Sequence, residues 1–473
     1  MNETREQHRA VSEGPCGKDR RKSSQMPPAS RTKTFIAALS ITLPAILFYT
    51  ILFRNVLDLP ILDDYGAVLN FLNQITPLKN TSAMVSYFLA SQHGEYKLFF
   101  THGIAWLQFE LCGHVDFRIL SAIGNGFVLL LAILLWKMFL PAHKDFSTRL
   151  TFFIPVSWLL FQLQYWETLN WPMAGLQNIP VLVFSLGSIY FLLRGARWAY
   201  FCALAFLILA VASSGNGLII IPIGVMILAS GRRYVRVVSW FVVSAGCIAA
   251  YSYHYSTVVS AHTDAHRSVF LTILRMNPAY VVAFIGSAAS VPFKPCSFVF
   301  GILICSFFVY LARRGYIRKN PLVSYCVLFL LLTAIGVAGI RSDFGVEQAV
   351  ASRYTIYSAL LLIFAWFAIV EEFLQHRPAD LLRNDTLLCA VVAAVLFSLW
   401  GDLGGWLQIE LRNRYLVQAM AVYENSTLSS STDGPAPPIM LPLDRTISDS
   451  LNLRARAVLI QSMKLGMYRP PPY

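Results

Sequence analysis

Residues 34–64 read TFIAALSITLPAILFYTILFRNVLDLPILDD. The run Thr34–Phe53 carries no charge and is long enough, as a helix rising 1.5 Å per residue, to cross a hydrocarbon core of about 30 Å. No small-residue cleavage motif follows it, so the expectation is an uncleaved first membrane helix rather than a secretory leader. Shortly beyond it stand two adjacent carboxylates, Asp63 and Asp64, which open a polar stretch lasting to Arg118.

The rest of the chain repeats that apolar pattern. Of its 473 residues, 56% are hydrophobic and 13% charged. The mean hydropathy is +0.56, whereas a soluble domain has about 25% charged residues. These values imply an all-α, polytopic membrane protein. The net charge of +13 sits in short clusters between apolar runs, which is the positive-inside pattern and not a groove for nucleic acid. The cysteines fall mostly inside apolar runs, with Cys112 in the first polar loop, and have neither a disulfide framework nor metal-ligand spacing.

Further apolar segments lie near 119–140, 151–163, 179–193, 198–212, 217–230, 237–253, 278–293, 298–312, 322–340, 355–370 and 386–400. Basic clusters assign the cytoplasmic side: the N-terminal tail, Lys144 with Arg149, Arg194 with Arg197, Arg232, Arg233 with Arg236, and Arg313–Lys319. If 278–293 crossed, the last cluster would fall outside. That segment, interrupted by Gly286, Ser287, Pro292 and Pro295, is therefore expected to be re-entrant. The expectation is eleven spans plus this element, with the N-terminus inside and the C-terminus outside; the alternative is twelve spans, with 278–293 crossing. Residues 1–33 read as a disordered basic cytoplasmic tail, 34–402 as the membrane domain with a long first outer loop at 54–118, and 403–473 as an extracytoplasmic cap. Within the loop, Val68, Leu69, Phe71, Leu72 and Ile75, and then Met84, Val85, Phe88 and Leu89, repeat at helical spacing. They predict helices lying in the membrane interface.

Four polar groups carry candidate chemistry. Asp64 suits a helix cap. As catalytic candidates, one of Asp63 and Asp64 takes a proton from an acceptor hydroxyl while the other orients it or holds a divalent cation. The stretch Gln92–Lys97 offers His93 and Glu95 as substrate-binding groups and Lys97 as a point charge for phosphate, although a solvated loop would look similar. In Arg341–Tyr354, Arg341 and Arg353 supply planar forks suited to a lipid phosphate, with Tyr354 beside them. Asp343, Glu347 and Gln348 share that loop, and the alternative is simple interface anchoring by the arginines. Gln164–Trp171 mixes Trp166, Glu167 and Trp171 as a membrane-boundary belt that would also suit a sugar. The Gly215–Gly217 turn is explained by a tight helical hairpin.

A carboxylate pair in a long first outer loop, interfacial helices, many spans and an arginine-bearing outer loop together resemble the C-type glycosyltransferase superfamily. The segments LDDYG, HGEYKLFF, YWETLNW, SGNGL and GVEQAVASRY are similar to those of a largely uncharacterised bacterial multi-spanning family related to it. The resemblance implies a protein of the bacterial inner membrane and an inverting transfer of a sugar from a polyprenyl-phosphate donor to a glycan, lipid or protein acceptor. Asp63 or Asp64 would be the general base. One departure is Tyr96-Lys97, where a histidine and an arginine are common in that family and an arginine would grip phosphate in two places. Two other readings share these residues: a transporter or flippase of a lipid-linked glycan, which needs no base, and a non-catalytic component of envelope-polysaccharide assembly.

Overall fold

The computed structural model describes residues 28–139, 146–256, 276–291, 293–374, 381–428, 455 and 457–469. Most of the basic tail, the turn-rich stretch around Asp433–Pro438 and Pro292 lie outside the described residues. Those described are helical, with no strand; only two isolated bridges occur, His93 with Tyr96 and Val115 with Tyr468.

Among the described residues, nine helices are long and apolar enough to cross a membrane: Thr32–Asn55, Phe117–Met138, Phe146–Asn170, Pro172–Arg194, Tyr234–Ser252, Cys296–Arg313, Pro321–Phe344, Ser352–Phe373 and Asp385–Gln418. This is a helical membrane protein. Two further expected spans are shorter, Arg197–Ser213 and Gly215–Ser230, and form the hairpin read from the Gly-Asn-Gly turn. Pro172–Arg194 is the hub, with 89% of its most apolar stretch buried. It packs against Arg197–Ser213 on one side and Phe117–Met138 on another.

Described members of the basic clusters tie helix ends together. Arg233 donates to the Leu192 carbonyl at 3.0 Å and Arg236 to that of Gly195 at 2.8 Å, answering carbonyls that the end of Pro172–Arg194 leaves free. Arg149 lies over the Trp136 ring, 4.0 Å from its centre. Lys319 pairs with Glu372 at 2.9 Å.

The segment expected to be re-entrant contains one eight-residue helix, Pro278–Ile285, followed by a 3-10 turn. At 1.5 Å per residue it rises about 12 Å, far short of a crossing. It folds back on Cys296–Arg313, where Gly286 and Gly301 let the two backbones meet: a side-chain carbon on either would overlap the opposing chain. Upstream, Ser252 at the end of Tyr234–Ser252 lines a cavity; downstream, Lys294 pairs with Glu347 at 2.7 Å.

The first loop departs from its expected surface position. Val68, Leu69, Phe71, Leu72 and Ile75 are all buried, so the helical turns Tyr65–Asn70 and Phe71–Ile75 turn their apolar face into protein and not toward lipid. Thr81–Ala90, with no buried residue and Val85 half exposed, fits the interfacial expectation better. The buried turns form a second core with Leu98, Phe117, Leu176, Leu459 and Tyr468, separate from the main core of the bundle. Nor does the chain change character at residue 402: helix Leu381–Leu428 runs straight through it, and Asp402 accepts the Leu163 N–H at 2.7 Å. Residues 457–469 then cover the first loop. Tyr468 donates to the Asp58 carbonyl at 2.7 Å, and Val115 N–H to the Met467 carbonyl at 2.8 Å.

Candidate functional site

The two aspartates, adjacent in sequence, occupy different environments because neighbouring residues point in different directions. Asp64 is fully buried, and its carboxylate makes no bond to the helix that follows it. Instead it accepts Ile61 N–H and Met173 N–H, both at 2.9 Å. Met173 belongs to the first turn of Pro172–Arg194, behind a proline that has no N–H to offer. The capping expectation is thus corrected: Asp64 caps the hub helix, not its own. Burial pushes its carboxyl up to about 8, further raised by Asp63 and only partly offset by the two N–H donors and Arg412.

Asp63 faces outward, with its side chain 47% exposed, and meets His93 Nε2 at 3.2 Å. Burial raises its pKa, but the His93 contact and the charges of Arg353 and Arg341 outweigh that and hold it below the usual carboxylate value. His93 is placed by two glycine-bearing turns. Its backbone pairs with Tyr96 across a tight turn at Gly94, where φ is +54°. Its ring lies on Gly66, where an added side-chain carbon would stand 2.5 Å from the imidazole. The LDDYG and HGEY segments are therefore interlocked, and Gly66 makes the room.

Asp63, Glu95, Tyr96, Arg341, Arg353 and Tyr354 line one cavity of about 520 Å³. Tyr96 Oη accepts from Arg341 Nη2 at 3.0 Å and Nε at 3.2 Å, and Glu95 pairs with the same arginine at 3.4 Å. Burial, the Glu95 charge and Tyr354 push the Tyr96 phenol up to about 12, with Arg341 opposing, so it stays protonated. Arg353 is held by Glu167 at 3.4 Å and Gln348 at 3.4 Å, beneath the Trp171 and Tyr354 rings. Both guanidinium ions thus meet their carboxylate partners only at 3.4 Å, and a phosphate entering the cavity has two cations to meet.

Other expected site residues lie elsewhere. Lys97 is fully buried and gives its ammonium hydrogens to the carbonyls of Leu89, Ala90 and Tyr253 at 2.9, 2.8 and 2.8 Å. Two of those carbonyls end the Thr81–Ala90 helix, so Lys97 is spent as its C-terminal cap. Glu347 is exposed and paired with Lys294 outside the cavity. Glu167 and Gln348 touch Arg353 without lining the space themselves.

Several cavity residues escape sequence reading. Gln177 and Asn178 lie in the second turn of Pro172–Arg194, Asn216 at the hairpin tip and Tyr357 one turn beyond Arg353. The signal that pointed to them was polar groups interrupting otherwise apolar runs. Arg412 is buried behind the site, over the Trp166 ring, and donates to Asn170 at 3.4 Å. Among the described residues no group of three or more His, Cys, Asp or Glu converges to hold a metal. The cavity carboxylates are turned to His93 and Arg341, and this donor set does not fit the divalent cation allowed by the sequence.

The fold and cavity define a helical membrane protein with a charged, loop-covered chamber at one end. No protein-family model, curated protein or solved structure matches the chain.

Proposed function

We propose that this chain is an integral membrane glycosyltransferase that moves a sugar from a polyprenyl phosphate to a glycan, lipid or protein acceptor. The observation that carries this reading is a single cavity holding an outward-facing carboxylate, Asp63, together with Arg341 and Arg353. In this mechanism Asp63 takes the proton of an acceptor hydroxyl as its oxygen attacks the anomeric carbon. The bond from that carbon to the phosphate oxygen breaks, and the departing lipid phosphate keeps the electron pair opposite Arg341 and Arg353. Tyr96 and Glu95 orient Arg341, and Glu167 orients Arg353. Asp64 is a positioning residue, fixing the turn that carries Asp63 against the hub helix. His93 holds the Asp63 carboxylate in register.

In this reading the protein lies in the bacterial inner membrane with its basic end in the cytoplasm, following the positive-inside rule, and its chamber on the outer side. The hairpin helices count as two of eleven crossings, and the lipid tail leaves beside Val337 and Ile340, which line the cavity next to Arg341.

The test is transfer from purified polyprenyl-phosphate sugars by wild type, Asp63→Asn and Asp64→Asn proteins. Loss of a general base predicts a fall of about 100-fold or more for Asp63→Asn, with donor binding retained. Undiminished transfer by Asp63→Asn sinks the mechanism. Lipid-linked sugar movement across vesicles that survives the same change favours the transporter reading.

A further inference from the structure

The chamber has two layers. Its mouth carries every charged side chain that lines it: Asp63, Glu95, Arg341 and Arg353. One helical turn deeper, two helices present uncharged polar groups. On Ser352–Ile369 the step from Arg353 to Tyr357 leads inward, and on Pro172–Arg194 the step from Ala174 leads to Asn178, next to Gln177. From below, the hairpin tip brings Ser214 and Asn216 up to the same level. Asn216 Nδ2 donates to Tyr357 Oη at 3.1 Å, Tyr357 donates to Asn178 Oδ1 at 3.4 Å, and Gln177 Nε2 donates to Ser214 Oγ at 3.2 Å.

The hairpin fixes the depth of this layer. Arg197–Ser213 has 17 residues and rises about 25 Å, a little less than the roughly 30 Å hydrocarbon core, so its tip reaches no further than the membrane boundary at the cavity end. Amides at that depth are costly unless they line a cavity and serve it. Asn216 Oδ1 and Trp171 Nε1 have no hydrogen-bond partner among the described residues, which leaves hydrogen-bonding capacity over when the layer is complete.

We infer that this floor, built around Asn178, Asn216 and Tyr357, is the subsite for the transferred sugar and that it selects an uncharged one. The inference rests on the transferase reading. Amides and phenols hydrogen-bond hydroxyls of either polarity, and the Trp171 ring offers a face for the apolar side of a pyranose. A sugar carrying a carboxylate or an ammonium would bring an unpaired charge to a place where no described lining residue answers it, and such burial is strongly disfavoured.

The probes are polyprenyl phosphates bearing a neutral hexose, a uronic acid and an aminodeoxy sugar, compared for binding by native mass spectrometry and for transfer. Wild type is expected to prefer the neutral donor by about tenfold or more, the scale of one unpaired buried polar contact. Asn216→Asp, checked for an unchanged melting temperature, should weaken the neutral donor and shift preference toward the aminodeoxy sugar. Asn178→Asp gives a second reading of the same switch. Charged donors accepted as well as neutral ones by wild type, or a preference unmoved by both variants, overturns the inference while leaving transfer intact. Failure to bind any of the three donors overturns the transferase reading itself.

Discussion

Asp63 and Asp64 differ in what their backbones make them touch, and pH separates them. Asp63 has a folded pKa below its ordinary 3.8, so it stays ionised down to acidic pH and adds stability that is lost only as pH falls below that value. Asp64 behaves oppositely: its carboxyl rises from 3.8 to about 8 on folding. The folded state then binds the extra proton, and stability drains away as pH climbs from about 4 to about 8. Two outcomes follow. If Asp63 is the base, transfer keeps its rate from about pH 5 to pH 8 without an acid limb, whereas a limb centred near 8 would assign the base to Asp64. Asp64→Asn should flatten the decline of melting temperature over that range while costing about 1–3 kcal/mol, because an amide can accept only one of the two N–H groups well. The pair was legible in the sequence; its division of labour was not, since that depends on Met173, 109 residues away.

Among the elements, apolar runs located the membrane helices because hydrocarbon demands length and composition that survive in any context. Their ends were harder to read. The hub helix was expected from residue 179 and begins at Pro172, since Gln177 and Asn178 break the hydropathy where they line the cavity. The buried turns at Tyr65–Ile75 were misplaced for a related reason: an apolar face looks the same whether lipid or a second core covers it. The glycine of LDDYG carries a sharper message. Gly66→Ala should push the His93 ring off Asp63, because the ring is the movable partner. The expected result is a roughly tenfold loss of transfer, the lower part of the range for a misplaced acid–base group. The Asp63 carboxyl should move up toward its ordinary value, read from the pH profile, with the melting temperature nearly unchanged. An unaltered rate and profile would show that His93 has no part in setting Asp63.

At the scale of the whole molecule, two cores meet around the chamber, and the smaller one is closed by residues 457–469. Tyr468 is buried edge-on to Phe117, with ring centres 5.6 Å apart, and its hydroxyl reaches a carbonyl 410 residues earlier. Tyr468→Ala should cost about 3–5 kcal/mol, as for other buried aromatics. Limited proteolysis should then cut within 54–118 while the membrane bundle stays intact, and transfer should fall with the cutting. Cleavage confined to the tail would mean that the first loop stands alone. A cap was expected over 403–473, but not its site, which only the folded chain supplies. This long-range closure also imposes an order in time. Because the ribosome releases the chain from its N-terminal side, the membrane helices are all made before Tyr468 emerges. The smaller core beside the aspartate pair therefore stays incomplete until residues 457–469 have been made.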